Sequence, residues 1–371
     1  MNSRLCQSLT QAFLVVALSV GSSHAADKPA GLDRQGKPDL KSAGPLAFGP
    51  QGVLFVGDPK GAALYAIGIE TRKVTGPRPG LVLEGLDGKL AGLLGTKPED
   101  VLINDLAVQP GSGIAYLSVS RGKGPDAAPA IATVTPDGGL KLVSLDDVAY
   151  AQVSLANAPN PEEKDRRGNS LRLESITDMH YLEGRVFIAG LSNEEFASKL
   201  RAVEFPFTAA DLGTSIEIYH GAHGAVETRS PVRTFIPFNL HGEPHLMAAY
   251  TCTPLVTIPV SQLKPGSKLR GKTVAELGNM NRPLDIITYE KEGHQYLLMA
   301  NSARGVMKVA TDNIDDQAGI SERINGTAGL TYETISSLKG VEHLDKLGEG
   351  MALLLVRTEA KSLNLQCIEL P

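Results

Sequence analysis

Short apolar stretches, each interrupted by a turn glycine and resumed beyond it, recur along this chain about every sixty residues. The first reads Pro45-Leu-Ala-Phe-Gly-Pro-Gln-Gly-Val-Leu-Phe-Val. The second reads Asn104-Asp-Leu-Ala-Val-Gln-Pro-Gly-Ser-Gly-Ile-Ala-Tyr-Leu-Ser-Val. Further copies begin at Thr177, Leu284 and Val341, and a less regular one runs from Asn239 to Tyr250. Their turn glycines are Gly52, Gly113, Gly184, Gly242, Gly293 and Gly350. A hairpin repeated at that period is the inner half of a propeller blade, because each small sheet must cover its apolar faces with its neighbours. Third strands follow each hairpin, as at Ala63-Leu-Tyr-Ala-Ile and Leu255-Val-Thr-Ile-Pro-Val, alternating as half-buried strands do. The pattern predicts an all-β, six-bladed propeller of four-stranded antiparallel blades. The last repeat ends on its third strand, so the N-terminal segment Leu32–Ser42 is expected to close the last blade.

The repeats leave two segments over. Arg4, the apolar run Ala12–Val20 and Ser23-His24-Ala25 follow the order of a secretory signal, so residues 1–25 are expected to be removed. Residues 26–371 then form a single propeller domain, exported to the periplasm or secreted. No apolar run reaches the ~20 residues of a membrane span. Residues 146–174 are charged and turn-rich and predict a long loop insertion, solvated or lid-like.

Composition narrows the chemistry. Net charge is −5 with scattered Lys and Arg, which argues against nucleic-acid binding. The chain has no tryptophan, which excludes a tryptophan-derived cofactor and the repeated Trp motifs that lock other propellers. There is no nucleophile elbow, P-loop or CxxC. The partner expected is a small-molecule substrate or a protein, with the chain a monomer.

Aligned copies place Asp105, Asp178, Asp285 and His343 at one position, leading into the innermost strand. Neighbouring Asn104, Thr177 and Glu342 offer oxygens. Strands converging on an axis would gather these groups into one funnel. There they either cap backbone N–H groups or hold a divalent cation that relieves their mutual repulsion. An all-oxygen set suits calcium or magnesium, and the imidazole of His343 tilts the set toward zinc or another transition metal. His180, two residues beyond Asp178, should look into the channel as a general base, with His343 as ligand or proton shuttle. Arg121, Tyr250, Asn301 and Arg304, at or near the turns between second and third strands, are candidate substrate-binding residues. His220, His223, Cys252, Met280 and His343 form an alternative copper or zinc set.

Asn104-Asp105-Leu-Ala-Val before its hairpin and Leu46-Ala-Phe-Gly-Pro-Gln-Gly-Val-Leu-Phe-Val resemble the blade openings of the SMP-30/gluconolactonase and paraoxonase-like six-bladed propellers. The resemblance implies that fold, calcium held by Asn, Asp and Glu at the channel mouth, and a metal-dependent hydrolase of small esters or lactones. Gly44-Pro45 stands where the family has a Glu, and the later Asn-Gly and Asp-Gly pairs are absent. A non-catalytic binding or interaction propeller and a copper-binding redox protein are the alternatives.

Overall fold

The structure is a computed structural model that describes residues 29–70 and 80–371. The signal expectation for residues 1–25 lies outside the described residues. Six small sheets stand around one axis, antiparallel except where Ser215–Glu217 runs parallel to Lys268–Arg270. The six turn glycines all have positive φ, between 68° and 84°. That region costs a residue with a Cβ about 1–2 kcal/mol, and here it sets the hairpin between the first two strands of each sheet.

Each innermost strand rises from the repeated motif: Leu46–Phe48, Val101–Val108, Asp178–Leu182, Thr234–Leu240, Pro283–Lys291 and Val341–Lys346. The second strands are nearly continuous apolar runs, such as Val53–Asp58 and Met351–Arg357, because both of their faces are covered by adjoining blades. Six buried clusters fill six seams. Leu117 and Leu355 meet between the second and sixth units, Leu54 and Tyr116 between the first and second, and Phe55 and Met179 between the first and third. The remaining clusters join third to fourth, fourth to fifth and fifth to sixth. Truncating one such leucine costs about 2–5 kcal/mol.

These seams fix an unexpected order around the ring: second, first, third, fourth, fifth, sixth, then back to the second. The second unit, Val101–Leu142, is inserted between the third and fourth strands of the first. The first unit leaves its own sheet after Ala63–Gly68 and recovers its fourth strand only at Val148–Ser154. On the way, Val82–Leu83 pairs with Leu365 and Gln366 and supplies the outer strand of the sixth blade. The N-terminal segment therefore does not close the last blade. Its Arg34–Gly36 adds to the outer edge of the first sheet by pairing with Val148–Tyr150. The one α-helix among the described residues, Leu86–Leu94, then buries Leu86 and Leu90 in the seam of the second and sixth blades.

The long insertion is also shorter than expected. Residues 148–154 are the first blade's strand, and the loop proper runs over 155–177. No helix among the described residues is long and apolar enough to cross a membrane.

Candidate functional site

Asp105, Asp285 and His343 each follow a bulged residue near the start of an innermost strand, at Asn104, Leu284 and Glu342. A bulge bends the strand and re-aims the next side chain, here toward the axis. Asp178 opens its own strand opposite Ala189. The three aspartates use their oxygens alike. One oxygen accepts the N–H of the following residue, from Leu106 at 2.8 Å, Met179 at 2.7 Å and Ile286 at 2.8 Å. The other accepts an N–H from the next blade's innermost strand, from Leu46 at 2.6 Å, Phe235 at 2.7 Å and Leu344 at 3.0 Å. Backbone capping is thus real, and it staples one blade to another. Each oxygen still keeps a lone pair for a further partner.

His343 stands among these carboxylates. Its Nδ1 lies 3.6 Å from Asp105 and 3.5 Å from Asp285, is buried, and has no hydrogen-bond partner. Burial works against the imidazolium, but Asp285 and then Asp105 outweigh it and raise the pKa. Burial raises the Asp105 carboxyl well above the usual range, opposed by His343 and reinforced by Asp285 and Asp178. Asp178 is pushed up to about 6, chiefly by burial.

Two cavities meet at this ring. A mouth cavity of about 350 Å³ is lined by Asn104, Thr177, Arg233, Arg282, Glu342 and His343. A cavity of about 1000 Å³ on the hairpin face is lined by His180, Ile236, Ile287, Tyr289 and Asp345 among others. Asp105, Asp178 and Asp285 line both, so they rim the neck between them. His180, as expected, faces the channel, 3.8 Å from Asp178 and edge-on to Phe235.

Three further groups line these cavities without a signal in the repeat alignment. Asp345, two residues past His343, accepts the N–H groups of Lys346 and Val108, both at 2.7 Å, and burial pushes it up to about 7. The period-two rule that placed His180 beyond Asp178 places Asp345 beyond His343. Arg233 and Arg282 stand just ahead of the fourth and fifth innermost strands, as Thr177 does ahead of the third. Arg233 pairs with Glu174 from the end of the long loop, and Glu342 pairs with Arg357. Arg282 makes no ion pair among the described residues, and burial together with Arg233 lowers its pKa.

Other candidates lie off the channel. Arg121 is exposed, Tyr250 is in the seam core of the third and fourth blades, and Asn301 is buried against Asn281 and the Met299 carbonyl. Arg304 rests on Gly278 and donates to the Asn279 carbonyl. None of the four lines either cavity, because the turns between second and third strands stand outside the innermost strands. The five-residue copper set divides. His220, His223 and Cys252 come together, His343 belongs to the neck, and Met280 is 85% exposed.

Asp105, Asp285 and His343 offer ligand atoms within 4.8 Å of one another. Two carboxylates and an imidazole do not suit calcium, which takes six to eight oxygens. They do suit a smaller divalent transition ion. The orphaned Nδ1 of His343 fits that role.

No family model matches the chain, and no curated protein matches it. Solved structures are similar in fold. Drosophila plexin A in complex with semaphorin 1b is 10% identical, covering 91% of this chain and 86% of that one with a TM-score of 0.34. The PQQ-bound aldose sugar dehydrogenase from Streptomyces coelicolor is 11% identical, covering 91% and 96% with a TM-score of 0.33. Streptogramin B lyase is 10% identical, covering 91% and 87% with a TM-score of 0.30.

Proposed function

We propose that this propeller is a metal-dependent hydrolase of small esters or lactones that carry a negative charge. The observation that carries the reading is the His343 Nδ1, buried without a hydrogen bond between the carboxylates of Asp105 and Asp285 at the neck of two cavities. Those three residues would hold a divalent transition ion such as zinc or manganese. Such an ion lowers the pKa of a bound water and polarises a carbonyl.

The chain's own groups divide the remaining work. Arg282, which lines the mouth cavity and makes no ion pair among the described residues, would bind the substrate's carboxylate by paired N–H donors. Asn104 and Thr177 use their polar atoms on the Ala43 and Val232 carbonyls and shape the wall. Water reaches the neck from the larger hairpin-side cavity. His180 takes its proton as the water oxygen bonds to the carbonyl carbon, and Asp178 stabilises the imidazolium. The carbon–oxygen bond to the leaving group then breaks. The proton passes to the leaving oxygen, giving a carboxylic acid and an alcohol. The secretory pattern of residues 1–25 supports an exported setting.

The test is elemental analysis of the purified full chain, coupled to hydrolysis of a panel of small lactones and aryl esters with and without a carboxylate. Wild type should turn over the anionic members, and Asp285→Asn should lose one equivalent of transition ion together with that turnover. Full metal content and turnover in Asp285→Asn would falsify the ligand set. Binding of the panel without turnover, under metal saturation, would leave a binding propeller in its place.

A further inference from the structure

A second group of donors lies at the seam of the third and fourth blades, away from the neck. His220 ends the strand Thr214–His220, and the chain turns back at once through Gly224, at φ 66°, into Ala225–Glu227. The turn folds His223 over His220, with ring centroids 3.8 Å apart. It also puts Glu227 beside both rings. His223 Nδ1 hydrogen-bonds Glu227, and His220 Nδ1 lies 3.1 Å from the same oxygen without hydrogen-bond alignment. From the fourth blade comes Cys252, in the turn after Glu243–Ala249. Cys252 and Thr253 both hold left-handed backbone, at φ 65° and 57°, and the Cys252 N–H is fixed to the Asn281 carbonyl at 2.6 Å. Two consecutive non-glycine residues in that region store strain, which persists where the surroundings impose it.

Particular buried polar atoms here lack hydrogen bonds. The His220 side chain is 2% exposed, yet neither ring nitrogen has a hydrogen bond. Glu276 Oε2, buried within reach of the His220 charge, lacks a partner as well. Glu276 uses its other oxygen on the Gly221 N–H, and Tyr250 lies beside Ser198 and within reach of the Glu227 charge. Orphaned buried groups concentrated at one place call for an ion or water that satisfies them.

We infer that His220, His223 and Cys252 form a zinc(II) site that clips the third blade to the fourth. Their ligand atoms already lie within 4.8 Å of one another. Two imidazoles and a thiolate at zinc's bond lengths stand roughly 3.5 Å apart, so small side-chain rotations close the site. Glu227 on the Nδ1 side of both rings leaves Nε2 toward the metal, the usual carboxylate–histidine–zinc arrangement. Water takes the fourth position. The site stands apart from the hydrolase reading and does not depend on it.

The test uses the full chain freed of metal and titrated with zinc(II) against a chromophoric chelator. One equivalent should be lost in Cys252→Ser and His220→Ala, with affinity reduced about 100-fold or more, and weakened about 10- to 100-fold in Glu227→Gln. Asp285→Asn should leave that equivalent intact, which separates it from the neck. Cobalt(II) on the unaltered chain should give a thiolate-to-metal charge-transfer band that Cys252→Ser abolishes. Unchanged zinc binding in Cys252→Ser and His220→Ala, or no such cobalt band in the folded wild type, would overturn the site.

Discussion

Asp345 of the sixth blade accepts the backbone N–H of Val108 in the second blade at 2.7 Å, and this bond spans the point where the ring closes. The same carboxylate holds the Lys346 N–H, so one side chain fixes two innermost strands. Asp105, Asp178 and Asp285 do the same across three other seams. Above pH 7, where Asp345 has released its proton, Asp345→Asn replaces one acceptor with a donor that faces an N–H. A buried donor left without an acceptor costs about 1–3 kcal/mol. The urea midpoint should fall accordingly, with the metal content of the neck unchanged. A midpoint equal to wild type would show that the closure does not use this bond.

Burial raises Asp178 to about 6 and Asp345 to about 7. A carboxyl raised in the folded state keeps a proton that the unfolded chain has already released. Stability therefore falls as pH rises from about 4 through about 7. The raised imidazole of His343 acts in the same sense, because its contribution is complete below the ordinary histidine pKa and is lost above it. With a chelator present, the thermal midpoint should decline across that window, and Asp345→Asn should flatten the decline. A midpoint that climbs steadily from pH 4 to 7 would contradict it.

His180 is the proposed base, and it stands on the hairpin side of the neck while His343 stands on the mouth side. His180→Gln should lower kcat about 10²- to 10⁴-fold, the usual worth of a positioned base, and leave bound metal at wild-type stoichiometry. Loss of metal along with activity would move His180 into the ligand set.

What the sequence made legible was whatever the repeat carries. The six turn glycines, the hairpins and the third strands are periodic, and so is the position shared by Asp105, Asp178, Asp285 and His343. The ring order was not legible. Val82–Leu83 and Arg34–Gly36 are too short to show alternation, and the partner of an outer strand is set by distant packing rather than by its own residues. Val148–Ser154 was hidden for a related reason, since it adjoins charged loop and lies a whole blade away from the strand it pairs with. Arg121, Tyr250, Asn301 and Arg304 were misplaced because sharing a face with the channel mouth differs from reaching it. Tyr250 turns into the seam, and Asn301 is taken up by Asn281.

Arg282 lines the mouth cavity without an ion-pair partner among the described residues, whereas Arg233 beside it is held by Glu174. A hydrogen bond to a charged group contributes about 1.5–3 kcal/mol. Arg282→Ala should therefore raise KM at least about tenfold for carboxylate-bearing substrates and leave neutral ones nearly unaffected. Equal effects on both would remove the anion-binding role.

Gly190 lies in the strand Arg185–Leu191, directly against the last turn of the long loop. A Cβ there would sit 2.1 Å from the Ser175 carbonyl oxygen and 3.0 Å from that of Glu174. Both are backbone atoms and cannot swing aside. Glu174 carries the ion pair to Arg233, and Ser175 is buried three residues before Asp178. Gly190→Ala must displace this segment, so it should cost the roughly 1–3 kcal/mol of overpacking and also disturb the neck. Gly184→Ala is the control: its Cβ meets nothing within 4 Å, and only its φ of 82° opposes it. The expected contrast is a lowered midpoint in both variants, with kcat/KM reduced in Gly190→Ala alone. Equal kcat/KM in the two would mean that the loop's approach does not position Asp178.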